Sequence, residues 1–271
     1  MRILVSNDDG IYSPGLAALA RAATEFGEVH VVAPDVERSS ASHSISSHPL
    51  SYRPVDFPGV TTAHRVNGTP ADCVALGVHL GIGIDVVLSG LNLGLNLGHG
   101  IWHSGTIAAA KQATMLGIRG IALSVPAGQQ PVDFEALRPW FHKVLRTLLL
   151  DVTTPRLVNV NFPRDPRGIV WTCAAVQDYD GRIFPAKDPL GRDVYWFSVV
   201  PVGAADKATD RWAVEQRWIS MTPLEVDPTD EELLRQIATA HPIDDVTARA
   251  VSPPISTSEA AAKVRIEEAG T

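Results

Sequence analysis

The sequence predicts an α/β fold built on a mainly parallel sheet with helices packed on its faces. Ile3 to Val5 form a short, uncharged apolar run, which is typical of a strand buried on both faces. A helical stripe of apolar residues follows from about Pro14 to Phe26, and a second strand is predicted over Glu28 to Pro34. Two strands joined by a helix normally form a right-handed parallel crossover, so this segment predicts a β-α-β unit.

The same alternation continues through the middle of the chain. Short strands are predicted between Pro49 and Arg65, and a helix is predicted to begin at Thr69, a good N-cap that is followed by Pro70. Further apolar runs predict strands, and the stretches between them predict helices. These elements are strands at 85–90, 119–125 and 157–163, and helices at 107–116 and 133–150, the last interrupted near its start by Pro139.

The C-terminal part of the chain has a different pattern. Short strands with many aromatic residues run from Ile169 to about Val200, and a strand and a short helix are predicted over Trp212 to Thr222 and Glu231 to Ala240. The tail from Ser252 onward is rich in Pro, Ser, Ala and Glu. We therefore predict one domain with a core at about 1–165, a β-rich arm at about 166–225 and a C-terminal tail at about 226–271.

The composition argues against several functional classes. A net charge of −7 disfavours non-specific binding to polymeric nucleic acid or to anionic membranes. No apolar stretch reaches the roughly 18 residues that a membrane-spanning helix needs, and the N-terminus lacks the pattern of a signal peptide. Cys73 and Cys173 lie far apart in the sequence, and both are expected to be reduced and buried in a cytoplasmic protein.

An acidic turn follows the first predicted strand. In an open α/β sheet, a turn at the carboxyl end of a strand lies where ligands bind. The adjacent carboxylates of Asp8 and Asp9 repel each other unless a cation or hydrogen-bond donors neutralise them. The alternative is a solvated turn without function, and the turn alone does not separate the two interpretations.

Two further loops are predicted at the same sheet edge. Residues 35–47 contain six serines, including Ser39, and form either a flexible polar loop or a source of hydroxyl ligands. Residues 91–106 form a long glycine-rich loop that offers the amide groups of Asn92 and Asn96. This loop ends in Ser104, Gly105 and Thr106, which open an alanine-rich helix. Such a helix start presents free N–H groups and a positive dipole end to an anion, although simple capping also explains Ser104.

The candidate ligands at this edge are carboxylate, hydroxyl and amide oxygens. Such a set suits a hard cation, Mg²⁺ or Mn²⁺, and the helix start beside it suits a phosphate. His99 and His103 stand four residues apart, but the glycines around them make a helical zinc pair improbable. His103 is predicted either to contact substrate or to pack. A metal site beside a phosphate site, without the lysine of a G-x-x-x-x-G-K-[ST] loop, predicts phosphoryl chemistry assisted by the metal.

Several motifs, in this order, resemble the stationary-phase survival protein SurE family of metal-dependent 5′/3′-nucleotidases. The motifs are Ser6-Asn-Asp-Asp-Gly10, Arg38-Ser39 with Ser42, Gly68-Thr-Pro-Ala-Asp-Cys73, Ser89-Gly-Leu-Asn-Leu-Gly94, Asn96-Leu-Gly98, Ser104-Gly-Thr106, Asn159-Val-Asn161, Tyr195-Trp196 and Ser220-Met-Thr-Pro-Leu224. The resemblance covers roughly residues 1–225. It implies a Rossmann-like core with a projecting β-hairpin, and an exchanged C-terminal segment in homodimers or homotetramers.

The resemblance also implies roles for individual residues. Asp8, Asp9, Ser39 and Asn92 would bind one divalent cation, with Asp8 and Asp9 at the centre of catalysis. Asn96, Ser104, Gly105 and Thr106 would line the phosphate pocket. The chain departs from the family at His103, where tyrosine is common, at Arg217, where glycine is expected, and at Ser40, which replaces a common glycine or alanine. These departures bear on base preference, rate and assembly.

The expected activity is hydrolysis of nucleoside 5′- and 3′-monophosphates to nucleoside and inorganic phosphate. A metal-activated water is the expected nucleophile, and direct attack by Asp8 or Asp9 is the alternative. A non-catalytic nucleotide or phosphate sensor would use the same residues. A glycosyltransferase-like metal site is disfavoured by the Ser104-Gly105-Thr106 helix start and by the acidic turn, whose adjacent Asp8 and Asp9 lack the D-x-D spacing.

Overall fold

A computed structural model describes residues 1–60, 62–80, 83–128, 130–151, 153–176, 179–201 and 203–240 of the chain. The strands are β1 (Arg2–Ser6), β2 (Glu28–Pro34), β3 (Tyr52–Pro54), β4 (Thr62–Val66), β5 (Val86–Leu93), β6 (Arg119–Val125), β7 (Leu157–Asn161), β8 (Gly168–Trp171), β9 (Tyr179–Lys187), β10 (Asp193–Pro201) and β11 (Trp218–Pro223). The α-helices are α1 (Pro14–Ala23), α2 (Pro70–Leu80), α3 (Gly105–Met115), α4 (Phe134–Leu150), α5 (Asp210–Glu215) and α6 (Glu231–Ala240), and a 3-10 turn spans Gly98–His103.

Nine of these strands form one mixed sheet in the order β3-β4-β2-β1-β5-β6-β7-β11-β8. In this order, the six neighbouring strands from β4 to β7 are all parallel. The antiparallel pairs within the described sheet are β3 with β4 and β7 with β11. Strands β9 and β10 pair with each other as a separate antiparallel hairpin. The predicted α/β class with a mainly parallel core is therefore confirmed.

Helices cover both faces of the sheet because the central strands are apolar on both sides. Along β1, Ile3 and Val5 belong to the apolar cluster that contains residues of α1 and α4. Leu4 points to the opposite face and belongs to the cluster that contains Cys73 of α2 and Ala109 of α3. All three β1 side chains are fully buried. This two-sided burial explains why the strand is a continuous apolar run and does not alternate with polar residues.

Helix α1, strand β5 and helix α4 differ from their predictions. Helix α1 ends at Ala23, three residues earlier than predicted. Strand β5 continues to Leu93, because Asn92 and Leu93 resume pairing with β6 after a local irregularity that follows Ser89. Helix α4 is continuous through Pro139. The buried face of α4 keeps the helix intact despite the missing N–H, and it carries Leu137, Phe141, Val144, Leu145, Leu148 and Leu149.

The predicted strand over Trp212 to Thr222 was wrong in its first part. Asp210 to Glu215 form α5, and β11 starts only at Trp218. Thr209 caps the helix, since its Oγ1 accepts a hydrogen bond of 3.3 Å from the N–H of Trp212. A capping residue followed by an acidic first turn was the sequence signal for this helix.

The β-rich arm is smaller than predicted. Strands β8 and β11 belong to the main sheet, so among the described strands only the hairpin of β9 and β10 stands apart from it. In the predicted tail, α6 is described, whereas residues 241–271 lie outside the described part of the chain.

Cys73 is buried as expected, but Cys173 is exposed. None of the helices in the described ranges has the length and apolar composition needed to cross a bilayer.

Arg217 occupies a backbone position that favours glycine. It follows α5 with a φ of 64°, and its N–H bonds to the carbonyl of Val214, as is typical of the residue just after a helix. Its Nε donates a 3.0 Å hydrogen bond to the carbonyl of Asp165. The left-handed conformation explains why a glycine is expected at this position, and Ser40, with a φ of 58°, is in the same situation.

We predict that Arg217→Gly is more stable than Arg217→Ala by about 1 kcal/mol. Both variants lose the same side-chain hydrogen bond, but only glycine relieves the left-handed backbone. Urea unfolding of the two variants at one pH measures the difference. Equal midpoints, or a more stable alanine variant, would contradict this account of the turn.

Candidate active site

A cleft of about 250 Å³ opens at the carboxyl edge of the sheet and collects most of the predicted site residues. The predicted residues that line it are Asp8, Asp9, Ser39, Asn92, Asn96 and Ser104. Gly105 and Thr106 pack behind them at the start of α3. His103 and Ser40, at which the chain departs from the resembled family, line the same cleft. Segments far apart in sequence therefore meet at one place.

Asp8 is held in a rigid and largely buried turn after β1. Asn7 closes the turn, since its Nδ2 donates to the carbonyl of Gly10 at 3.1 Å and its Oδ1 accepts from the N–H of Gly10 at 3.2 Å. Only 4% of Asp8 is exposed. The hydroxyl of Thr106 donates a short 2.5 Å hydrogen bond to Asp8 Oδ1. Thr106 thus links the start of α3 to the acidic turn.

Gly105 allows α3 to approach this turn closely. A Cβ at position 105 would lie 2.8 Å from the Cβ of Asp8 and 3.0 Å from its Oδ2. Real Cβ atoms essentially never make the first of these contacts, so a larger residue would push the helix start away from Asp8. The glycine therefore sets the distance between the carboxylate and the N-terminus of α3, whose first-turn N–H groups have no acceptor within the helix.

Asp9 and Asn92 line the cleft, and each has one side-chain oxygen that its local hydrogen bond does not use. Asp9 Oδ2 accepts a 3.3 Å hydrogen bond from the N–H of Leu93, at the end of β5. Asn92 Nδ2 donates to the carbonyl of Gly94 at 2.6 Å. Because the Asn92 amide nitrogen is used in this way, its side-chain oxygen is the atom available to a cation.

Ser39 lies on the exposed rim of the cleft beside a third carboxylate. Its hydroxyl donates a 2.6 Å hydrogen bond to Glu37 Oε1, which leaves the lone pairs of Ser39 Oγ free to accept or coordinate. Glu37 also lines the cleft. The sequence analysis missed Glu37, which lies two residues before Ser39 in the same polar loop.

The serine-rich loop is tied down at several points. Ser42 Oγ donates to the carbonyl of Trp102 at 2.7 Å, and its N–H donates to the carbonyl of His103 at 3.2 Å. The ring of His43 bonds to Gln112 Oε1 of α3 at 2.8 Å. These contacts connect the loop to the 3-10 turn and to α3.

The start of α2 holds the far end of the same loop. Thr69 Oγ1 donates to the carbonyl of Ser44 at 2.8 Å and accepts from the N–H of Asp72 at 3.2 Å. The buried carboxylate of Asp72 accepts hydrogen bonds from the N–H groups of Ser46 and Thr69. Thr69 is thus the predicted N-cap, and Asp72 fixes the loop in addition to its capping role.

Asn96 is fixed by a buried amide network under the cleft. Its Nδ2 donates to Ser124 Oγ at 2.8 Å, and its N–H donates to Asn161 Oδ1 at 2.8 Å. The carbonyl of Asn96 accepts from the side chains of both Asn159 and Asn161. This network gives the Asn159-Val-Asn161 motif a positioning role, which the sequence alone did not assign.

Ser104 caps α3, as the simpler interpretation of this residue stated. Its Oγ accepts a 3.2 Å hydrogen bond from the N–H of Ile107. The side chain also lines the cleft, so capping and access to a ligand occur together.

In the described part of the chain, no group of three or more His, Cys, Asp or Glu side chains is arranged to hold a metal ion. The donors in the cleft are instead the adjacent carboxylates of Asp8 and Asp9, with Glu37 and neutral oxygens beside them, a set that fits a hard cation.

Burial makes the negative charge of this cleft costly. Burial raises the pKa of Asp8 from 3.8 to about 6, although the Thr106 hydrogen bond lowers it and the charge of Asp9 adds to the rise. Burial also raises the pKa of Asp9, against the hydrogen bond from Leu93 and together with the charge of Glu37. The protein therefore holds carboxylates where a positive charge would relieve their repulsion.

Comparisons with known proteins show which family this chain is similar to. A family model described as survival protein SurE matches residues 3–180. The 5′-nucleotidase SurE 1 of Thermus thermophilus is 42% identical over 88% of this chain and 97% of its own length. The 5′-nucleotidase SurE of Deinococcus radiodurans is 41% identical over 89% of this chain and 93% of its own length. The crystal structure of the SurE protein from Aquifex aeolicus gives a TM-score of 0.76 at 36% identity, covering 89% of this chain and 99% of that one.

In the metal-free protein, we predict a loss of stability with rising pH that Asp8→Asn reduces. A carboxyl whose pKa is raised from 3.8 to about 6 in the folded state contributes stability that is fully present below pH 3.8 and is lost as the pH rises through about 6. The pKa shift of about two units corresponds to about 3 kcal/mol. Urea unfolding in chelator at about pH 4 and about pH 7 should show this change as the difference between wild type and Asp8→Asn. A difference that does not vary with pH would contradict the buried-carboxyl account.

Proposed function

Because this chain belongs to the survival protein SurE family and its matched relatives are 5′-nucleotidases, we propose that it hydrolyses nucleoside monophosphates with the help of one divalent cation. The chain is an enzyme of the 5′-nucleotidase class, a phosphoric monoester hydrolase. The proposal goes further in naming the cation, Mg²⁺ or Mn²⁺, and in including 3′-monophosphates among the substrates. The observation that supports it best is the contact of the acidic turn with the N-terminus of α3.

The cation would be held by Asp8, Asp9, Ser39 and Asn92. Each of these side chains has an oxygen in the cleft that local hydrogen bonds do not use fully, and two of the four carry negative charge. An all-oxygen set with two carboxylates matches the preference of Mg²⁺ and Mn²⁺. A cation bound there would polarise a phosphoryl oxygen and increase the acidity of a coordinated water.

The phosphate would be held by the start of α3. The N–H groups of Gly105 and Thr106 belong to the first turn of a helix, where the dipole favours an anion. Asn96 and Ser104 line the cleft beside that turn. The Asp8–Thr106 hydrogen bond keeps the two binding sets in contact, so one phosphoryl group can reach both.

A water molecule is the nucleophile in this proposal. Asp8 is a poor candidate for direct attack, since it is almost fully buried and its Oδ1 already accepts the Thr106 hydroxyl. Asp9 is more open but accepts from Leu93, and the charges of both carboxylates are needed to hold a cation. These residues would orient the attacking water and the phosphoryl group in line, which accounts for a large part of phosphoryl-transfer catalysis.

We also propose that the chain forms a homodimer or homotetramer. The hairpin of β9 and β10 exposes Phe184, Tyr195 and Trp196, and Phe184 is paired with Trp196 in the hairpin register. Adjacent exposed apolar side chains commonly mark protein interaction sites. The cytoplasmic location remains a prediction from the sequence.

We predict that Asp9→Asn lowers kcat/KM for a nucleoside 5′-monophosphate on the order of 10²-fold or more, because it removes half of the charge that holds the cation. The assay is release of inorganic phosphate with Mg²⁺ or Mn²⁺ present. Asp165→Asn, at an exposed carboxylate, is the matched control and should retain wild-type activity.

Two outcomes would contradict different parts of the proposal. If chelator-treated wild type kept its full rate, the metal requirement would be wrong. If wild type bound nucleotides but released no phosphate with any monophosphate or metal tested, the chain would be a sensor and not an enzyme. A matched panel of 3′-monophosphates tests the wider substrate range.

A further inference from the structure

Asp210 is a buried carboxylate outside the cleft that binds three backbone N–H groups. It is fully buried at the first position of α5. Its Oδ2 accepts a 2.8 Å hydrogen bond from Gly98, and its Oδ1 accepts from Ala175 at 2.9 Å and from Arg211 at 2.7 Å. Burial raises the pKa of Asp210, and the hydrogen bonds from these N–H groups oppose that rise. The capping of α5 does not explain the bonds to Gly98 and Ala175, which belong to other segments.

Gly98 is the point at which Asp210 contacts the active-site loop. It lies two residues after Asn96 and begins the 3-10 turn that ends at His103, directly before Ser104. The same turn supplies the carbonyl groups that hold Ser42 of the serine-rich loop. A shift at Gly98 would therefore move groups on two sides of the cleft.

Ala175 restrains the same glycine from the other side. A Cβ on Gly98 would lie 2.4 Å from the carbonyl oxygen of Ala175, and Gly98 has a left-handed φ of 51°. Ala175 is itself held by Asp210, and the N–H of Asp210 donates to the carbonyl of Cys173 at 2.9 Å. The carboxylate thus holds the loop and the neighbouring segment in contact.

We propose that Asp210 is a positioning residue for the phosphoryl-transfer site, which acts by fixing Gly98 and the turn that carries His103 and Ser104. This inference rests on the proposed nucleotidase function. It assigns Asp210 no contact with the substrate or with the cation. Asp8, Asp9 and Asn92 are held by β1, β5 and α3, so the part of the metal set they form is independent of Asp210.

The inference requires a carboxylate and not only a side chain of this shape. Asparagine has one acceptor oxygen, and its amide nitrogen would place N–H groups against at least one of the backbone N–H donors. An unpaired buried N–H group is costly, and the loop would relieve that cost by moving. Asp210→Asn is therefore a close mimic in shape that should still disturb the turn.

The experiment compares Asp210→Asn with Asp227→Asn, since Asp227 is an exposed carboxylate that accepts a 2.9 Å hydrogen bond from the N–H of Thr229, away from the loop. Three quantities are measured on the full chain: kcat and KM for a nucleoside monophosphate, the dissociation constant for Mn²⁺, and amide hydrogen exchange over residues 98–104. For Asp210→Asn we expect kcat per folded molecule to fall about 10- to 100-fold, because misplacement near 1 Å has effects of that size. Mn²⁺ affinity should stay within about threefold, and exchange in the turn should accelerate. Asp227→Asn should match wild type in all three.

Gly98→Ala provides a second variant that leaves Asp210 in place. Its Cβ would push the loop away from Ala175, so it should give the same fall in kcat, and it carries the test if Asp210→Asn does not fold. An activity loss that only follows the folded fraction, or unchanged exchange in the turn, would overturn the inference. Failure of the proposed function is distinguishable, because wild type would then release no phosphate while the exchange data still reported on Asp210.

Discussion

The hydrogen bond from Thr106 to Asp8 is the contact on which the rest of the site depends. It joins the end of β1 to the start of α3, two elements separated by 98 positions in the sequence. The bond is possible only because Gly105 has no side chain to hold α3 away from Asp8. It places a carboxylate that suits a cation beside a helix N-terminus that suits a phosphate. Groups with opposite preferences for charge therefore lie next to each other, as a metal-assisted phosphoryl transfer requires.

The loops around this contact are fixed by buried polar groups. Asn159 and Asn161 hold Asn96 from the sheet, Asp72 holds the serine-rich loop, and Asp210 holds the glycine-rich loop. Burying a polar group costs less when it is hydrogen-bonded, and each of these residues bonds to backbone groups of the loops, although the buried Oδ1 of Asn159 has no partner. The long loops are thereby given defined positions that their composition alone would not provide.

Much of the fold could be predicted from the sequence because its signals are local. The apolar runs of β1, β2 and β6 and the cap at Thr69 mark their elements directly. The errors occur where tertiary contacts overrule local preference: the buried face of α4 carries that helix through Pro139, and pairing with β6 extends β5 past Gly90. Helix α5 was missed because its six residues are too few to show a helical apolar stripe and β11 follows almost at once.

The sequence identified the residues that line the cleft better than the residues that hold the cleft's loops in position. Asp8, Asp9, Asn92 and Ser104 stand at the ends of strands or the start of a helix, so their meeting follows from the parallel topology. Glu37 was missed because a charged residue in a polar loop has no distinctive pattern. Asp210 was missed because its partners, Gly98 and Ala175, are distant in sequence and are bound through their backbones, which carry no sequence signature.

The central claim is that the acidic turn and the end of β5 form one cation site. Anomalous diffraction from crystals of the protein grown with Mn²⁺ tests it most directly. The account predicts one strong peak in the cleft, within coordination distance of oxygens of Asp8 and Asp9, with Asn92 and Ser39 completing the protein ligands. Absence of a peak in the cleft at saturating Mn²⁺, or a peak there bonded to neither carboxylate, would contradict it.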